Sequence, residues 1–252
     1  MEISLRNKNI LLTGASRGIG RAAAEALAAS GARVAVHYNS NKEAAEALVK
    51  RIGNNSKAFG ADLGTGEGPL QLWEAVREGF GTIDVLINNA GVAISSPIDK
   101  NDEEWLHDWG HTMMVNLNAT AILCKKAVEH FKSRGGGRII NISSRAAFRG
   151  DTAEYMAYAS SKGGMVSLTR SIARAFGKEG IVAFNIAPGF TRTDMAQDFI
   201  DQYGEGYALN DIALNRLTRP EDIAPTLVFL AAGMADHATG ATIDLNAGSY
   251  VH

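Results

Sequence analysis

The segment Tyr158-Ala159-Ser160-Ser161-Lys162 carries the pair best suited to chemistry in this 252-residue sequence. Residues four apart share a helix face, so the Tyr158 hydroxyl and the Lys162 ammonium can open onto one cleft. A free tyrosine titrates near pH ~10 and exchanges protons poorly at neutrality. A neighbouring cation favours the phenolate and lowers that value. The pair therefore reads as an acid–base centre for interconverting a carbonyl and an alcohol. An ordinary surface helix offers such pairs too, so the reading needs support elsewhere. Four residues after Tyr155 stands Ala159, so no cation is found at that spacing. Ser143 and Ser144 close an apolar run, as turn residues or as site residues. Asn116 lies within Met113-Met114-Val115-Asn116-Leu117, an apolar setting where an amide needs partners, whether as a core link or in a site.

A second stretch supplies a different function. Thr13-Gly14-Ala15-Ser16-Arg17-Gly18-Ile19-Gly20 follows the apolar run Asn9-Ile10-Leu11-Leu12 and opens a segment with helical spacing at Ile19, Ala22, Ala23, Ala26 and Leu27. Gly14 permits backbone geometry that a side chain hinders. Gly18 and Gly20 allow close approach of a ligand and close helix–strand packing. Amides at the helix start, with the dipole behind them, attract a phosphate. The turn reads as a dinucleotide site.

These residues need positioning, and the rest of the chain alternates strand and helix. Strands are expected at Asn9–Leu12, Val34–Tyr38, Lys57–Ala61, Ile83–Ile87, Arg138–Ser143, Ile181–Ile186 and Thr242–Leu245. Helices are expected through Ala44–Val49, Leu70–Phe80, Glu103–Phe131, Tyr155–Phe176 and Glu221–Ala232, besides the one after the glycine turn. Alternation predicts an α/β fold with a doubly wound parallel sheet of about seven strands and helices on both faces. Near-continuous apolar strands agree with burial on both sides. Residues 191–217 are the least regular part, with Phe199, Tyr203, Gly204, Gly206 and Tyr207, and read as a substrate lid at the carboxyl ends of the strands.

Composition narrows the classes. A net charge of −2 offers no global field for nucleic acid or an anionic membrane. No run approaches the length of a membrane span, and the first residues lack a secretory pattern, so the cytoplasm is the expected location. The single cysteine, Cys124, fits a reducing compartment and reads as a small core residue. His107 and His111 have a spacing that can bind metal, but with no distinct third ligand they read as a solvated helix face; no metal is expected.

Taken together, the glycine turn, Asp62, Asn88-Asn89-Ala90-Gly91, Asn116, Ser144, Tyr158 with Lys162, and Pro188-Gly189-Phe190-Thr191-Arg192-Thr193 make the chain resemble the short-chain dehydrogenase/reductase family. The likeness spans essentially the whole chain and is greatest to 3-oxoacyl-carrier-protein reductase-like and carbonyl reductase-like members. It implies one Rossmann domain over residues 1–252 and hydride transfer between a nicotinamide cofactor and a small carbonyl or alcohol. By the same resemblance, Tyr158 is the proton donor or acceptor, and Lys162 lowers its pKa and holds the nicotinamide ribose. Ser144 binds the substrate oxygen, and Asn116 holds a water that links Lys162 to solvent. Gly14, Ser16, Arg17, Gly18, Ile19 and Gly20 form the phosphate turn. Asp62 and Leu63 contact adenine, and Asn89, Ala90 and Gly91 line the cofactor. Pro188, Gly189, Thr191 and Thr193 border the nicotinamide. The family also implies a homotetramer, which agrees with apolar residues on several sides of the two longest helices.

Three features depart from the family's pattern. The Ser144–Tyr158 interval is one residue longer than the commonest spacing, which leaves Ser143 as an alternative. The helix entry Trp105–His111 is about one turn longer than in many members. Ala247 stands where a glycine is common. After the second strand, where NAD-preferring members carry an acid, stand Tyr38, Asn39, Ser40, Asn41 and Lys42. With Arg17 nearby, this favours NADP(H) over NAD(H). The alternatives are an NAD-dependent alcohol or sugar dehydrogenase and a non-catalytic dinucleotide-binding protein.

Overall fold

The structure, a computed structural model, describes residues 3–193, 206 and 209–251. In chain order its principal elements are β1 (Asn9–Leu12), α1 (Gly18–Ala29), β2 (Arg33–Tyr38), α2 (Lys42–Ile52), β3 (Lys57–Gly60), α3 (Gly68–Phe80), β4 (Val85–Asn88), α4 (Asp102–Met113), α5 (Ala119–Lys132), β5 (Gly137–Ile142), α6 (Ala146–Arg149), α7 (Met156–Phe176), β6 (Ile181–Pro188), α8 (Pro220–Ala231) and β7 (Thr242–Leu245). The seven strands form one parallel sheet in the order β3-β2-β1-β4-β5-β6-β7, the expected doubly wound Rossmann-like fold. Strand order reverses between β1 and β4, and ligands of such sheets bind outside the carboxyl ends at that point.

The side-chain alternation of each strand divides the core between two faces. Ile10 and Leu12 of β1 join Ala23, Leu27, Leu48, Ile223 and Leu227 from α1, α2 and α8 on one face. Leu11 points the other way, among Leu72, Trp73, Leu123, Phe131 and Ile172 from α3, α5 and α7. Each fully buried Leu or Ile contributes about 1.5–3 kcal/mol, so the strand ends that carry the site sit on a rigid base. Cys124 belongs to this second face, and burial pushes its thiol up to about 12.

Through the core runs a polar seam. Asn88, Asn141 and Asn185 are register partners on β4, β5 and β6, and all three are buried. Asn88 Nδ2 donates to Asn141 Oδ1 at 2.8 Å, and Asn141 Nδ2 donates to the Thr169 hydroxyl of α7 at 2.8 Å. Thr169 Oγ1 lies 3.2 Å from Asn185 Oδ1.

Two elements differ from the sequence expectation. The long helix expected from Glu103 to Phe131 is divided by a π-helical turn, Met114–Asn118, between α4 and α5. The four-residue helix α6 was not expected, since four residues are too few to carry a period. Of the expected lid, Phe199, Tyr203, Gly204 and Tyr207 lie outside the described residues.

Candidate active site

The cofactor half of the site is built by contacts between β1, β2, β3 and β4. Gly14 has φ +61°, and a Cβ there would sit 2.8 Å from Ala90 Cα. Only glycine fits where the two strand ends come this close. Thr13 and Asn89 stitch them together. The Thr13 hydroxyl accepts from the amides of Asn89 (2.9 Å) and Ala90 (3.0 Å), and Asn89 Nδ2 donates to the carbonyls of Thr13 (3.0 Å) and Gly14 (2.9 Å). Gly20 is needed for packing, since a Cβ would meet Gly14 O and Asn89 Nδ2. The Gly14 amide does not face a ligand. It donates to His37 Nδ1 at 3.0 Å, and His37 Nε2 lies 3.1 Å from Ala61 O. Nδ1 is thus the acceptor and Nε2 carries the proton. Burial holds this imidazole below its ordinary pKa. Asp62 Oδ1 accepts from the Gly64 amide at 2.8 Å, which turns the chain from β3 toward α3. Arg17 is exposed at the start of α1, and Tyr38 ends β2, followed by Asn39 and Ser40, with no carboxylate among them.

The other half sits on β5 and α7. The two serines have different partners. Ser143 Oγ donates to the Lys162 carbonyl at 3.1 Å, whereas the Ser144 side chain is hydrogen-bonded to Tyr158. Ser144 Oγ also accepts from the Ala146 amide at 3.1 Å, where α6 begins. This geometry favours Ser144 over Ser143 as the group that meets a substrate oxygen. Lys162 Nζ is buried, donates to Ile142 O at 2.8 Å and stands 5.7 Å from the centre of the Tyr158 ring. Burial brings its pKa down to about 8. The Tyr158 hydroxyl is raised above its ordinary value, chiefly by burial, with the Ser144 bond pulling the other way. The sequence expectation was a lowering by Lys162. Here desolvation outweighs the charges around the ring.

Asn116 is tied into the same half of the site. Its amide is fully buried; Oδ1 accepts from the Val92 amide (2.8 Å), and Nδ2 donates to Val92 O (2.9 Å) and Ser161 Oγ (3.0 Å). These bonds brace the segment after β4 against α7. The π turn that carries Asn116 is the kind of helix irregularity that clusters at functional sites.

One continuous cleft of about 1090 Å³ joins the halves. Of the residues expected from sequence, Gly14, Ser16, Arg17, Gly18, Ile19, Tyr38, Asn39, Ser40, Asp62, Leu63, Asn89, Ala90, Gly91, Ser144, Tyr158, Lys162, Pro188, Gly189, Thr191 and Thr193 line it. Gly20 and Asn116 stand behind the wall. The cleft also takes in residues that sequence reasoning missed: His37, Arg145, Arg149, Asn210 and Asp211. His37 had a legible signal, a lone polar residue inside the apolar strand Val34–Tyr38. His111 lies at the cleft edge on α4, its ring 6.4 Å from that of the exposed His107. The described residues contain no group of three or more side chains able to hold a metal.

The walls fit a dinucleotide. The cleft opens at the strand-order reversal, begins at a glycine turn and ends at Tyr158. A Cβ at Gly91 would stand 3.3 Å from both Asn116 Oδ1 and Lys162 Nζ, so glycine keeps that floor open. Fold and cleft thus define a dinucleotide-dependent α/β protein. The family model described as short chain dehydrogenase matches residues 8–204. The 3-oxoacyl-[acyl-carrier-protein] reductase FabG of Staphylococcus epidermidis is 35% identical over 248 residues, covering 97% of this chain and 100% of that protein. A short chain dehydrogenase from Burkholderia cenocepacia, solved in complex with NADP, superposes with a TM-score of 0.89 at 32% identity, covering 97% of this chain and 98% of that one. A dehydrogenase/reductase from Sinorhizobium meliloti gives 0.90 at 33% identity, covering 99% and 98%. The chain belongs to the short-chain dehydrogenase family of NAD(P)-dependent oxidoreductases.

Proposed function

We propose that this protein is an NADP(H)-dependent oxidoreductase that interconverts a carbonyl and a secondary alcohol, with Tyr158 as general acid and base. The observation that carries the reading is the meeting of Ser144, Tyr158 and Lys162 at one end of a cleft whose other end is the Arg17 turn. When bound, the nicotinamide supplies hydride to the carbonyl carbon in reduction, or takes it in oxidation. Tyr158 gives its proton to the carbonyl oxygen, or removes it from the alcohol. A raised hydroxyl pKa keeps that proton in place until negative charge grows on the oxygen. Ser144 donates to the same oxygen and stabilises that charge. Lys162, with its pKa brought down to about 8, replaces the proton that Tyr158 gives up and holds the ribose.

Arg17 with Tyr38, Asn39 and Ser40 supports a 2′-phosphate at the far end, as does the Burkholderia relative's complex with NADP. The name of the Staphylococcus relative supports 3-oxoacyl thioester reduction as one such reaction. We place the working enzyme in the cytoplasm as a homotetramer, in keeping with the family pattern. Turnover of a carbonyl panel with NADPH and with NADH tests the reading. NADPH is expected to be preferred, and Arg17→Ala is expected to weaken NADPH binding by about 1.5–3 kcal/mol, the value of one charged hydrogen bond, with much less effect on NADH. Equal losses, or a wild-type preference for NADH, would contradict the cofactor assignment.

A further inference from the structure

Arg145 follows Ser144 directly and caps the short helix α6, which Arg149 closes four residues on. Both guanidinium groups reach a single carboxylate oxygen, Asp211 Oδ2, at 2.5 Å and 2.9 Å. All three side chains line the cleft at its Tyr158 end. Arg145 shares the cleft wall with Ser144 and Tyr158. Its side chain is only 17% exposed. Burial pushes Asp211 up, but the two arginines outweigh it and hold the carboxyl below its ordinary value.

Two guanidiniums that converge on one carboxylate oxygen have the geometry that recognises a carboxylate. The other acids of this wall have donors of their own. Asp151 Oδ1 accepts from the Thr152 amide at 2.9 Å, and Glu154 Oε2 accepts from Ser95 Oγ at 3.2 Å. Asp151 and Glu154 add two negative charges to this wall, so it is the two converging guanidiniums, and not a net positive field, that suit an incoming carboxylate. We propose that Arg145 and Arg149 form a carboxylate subsite, and that the substrate is a small oxo acid or its hydroxy-acid counterpart. Asp211 fills the subsite in this structure, and the substrate carboxylate displaces it from at least one arginine. The inference rests on the carbonyl–alcohol reading of the same site, selects a free acid in place of the 3-oxoacyl thioester, and leaves the chemistry unchanged: hydride to carbon, proton from Tyr158 to oxygen.

The test compares kcat/KM for pyruvate, acetoacetate and levulinate with that for their methyl esters, and for acetoacetate also with its N-acetylcysteamine thioester. D-gluconate beside D-sorbitol serves for the oxidation. Wild-type protein is expected to prefer the acid of at least one pair by about tenfold or more, the weight of a charge-assisted bond. Arg149→Gln should reduce that preference and Asp211→Asn should increase it, because the first removes a donor and the second a competitor. A merely structural tether would make both variants move it the same way. Both side chains are 39% exposed, so the folds should survive; should Asp211→Asn fail to fold, Arg149→Gln alone decides. Turnover of the neutral members with no acid preference overturns the subsite and leaves the oxidoreductase reading standing. So do two variants that shift the preference in one direction or not at all. No turnover of any compound with either nicotinamide overturns both.

Discussion

His37 ties three segments of the cofactor half through one ring, and its service depends on its being neutral. Protonation would turn Nδ1 into a donor facing the Gly14 amide, which is itself a donor. Burial holds its folded pKa below the ordinary 6.5. The unfolded chain therefore binds more protons across that interval. Stability from this group is complete above pH ~6.5 and falls as the pH drops toward the folded value. His130, also held low chiefly by burial, adds to the slope. The informative quantity is thus the difference between variants: denaturation of His37→Asn as a function of pH should show a shallower loss below pH ~6.5 than wild type. Equal slopes would remove His37 from this role. At this scale the sequence was legible where the contact is local. Tyr158 and Lys162 share a helix face by spacing alone. It was not legible where partners come from afar: Asn116 meets Val92 and Ser161, and Arg145 meets Asp211 66 positions away. Nor does spacing reveal that Lys162 and Tyr158 are desolvated, which decides the direction of both pKa values.

Among elements, β4, β5 and β6 matter most, since their carboxyl ends carry Asn89, Ser144 and Gly189. The asparagine seam holds the three in register just below the site and anchors them to α7 through Thr169. Thr169→Val keeps the shape but leaves Asn141 Nδ2 without its acceptor in a buried place. The expected cost is about 1–3 kcal/mol, or a Tm lowered by roughly 2–10 °C for a chain of this size. An unchanged melting temperature would mean the seam contributes nothing to the sheet's stability. The strands themselves were readable as apolar runs between turn residues. The break in the long helix was half readable: Asn116 was the odd residue in its apolar stretch, but a π turn has no sequence period of its own. α6 was hidden because Ala146–Arg149 is a single turn.

For the whole molecule, the alternation of strand and helix was enough to predict the parallel sheet. Connections of that kind leave few other topologies. The assembly is less directly read. Ala157, Val166 and Ala173, which suggested that the second long helix is buried on several sides, are covered within this one chain. The tetramer therefore rests on the family pattern. Light scattering is expected to give four times the chain mass of 26.8 kDa; a monomer across micromolar concentrations would reject it. The account as a whole depends on proton transfer by one hydroxyl. Tyr158→Phe removes that oxygen and little else, so the fold and NADPH binding should persist. Measured as NADPH oxidation with the best carbonyl of the panel, turnover by Tyr158→Phe should fall roughly a hundredfold or more, within the range of general acid catalysis, with the melting temperature and NADPH affinity near those of wild type. Near-normal turnover in that variant would contradict the assignment.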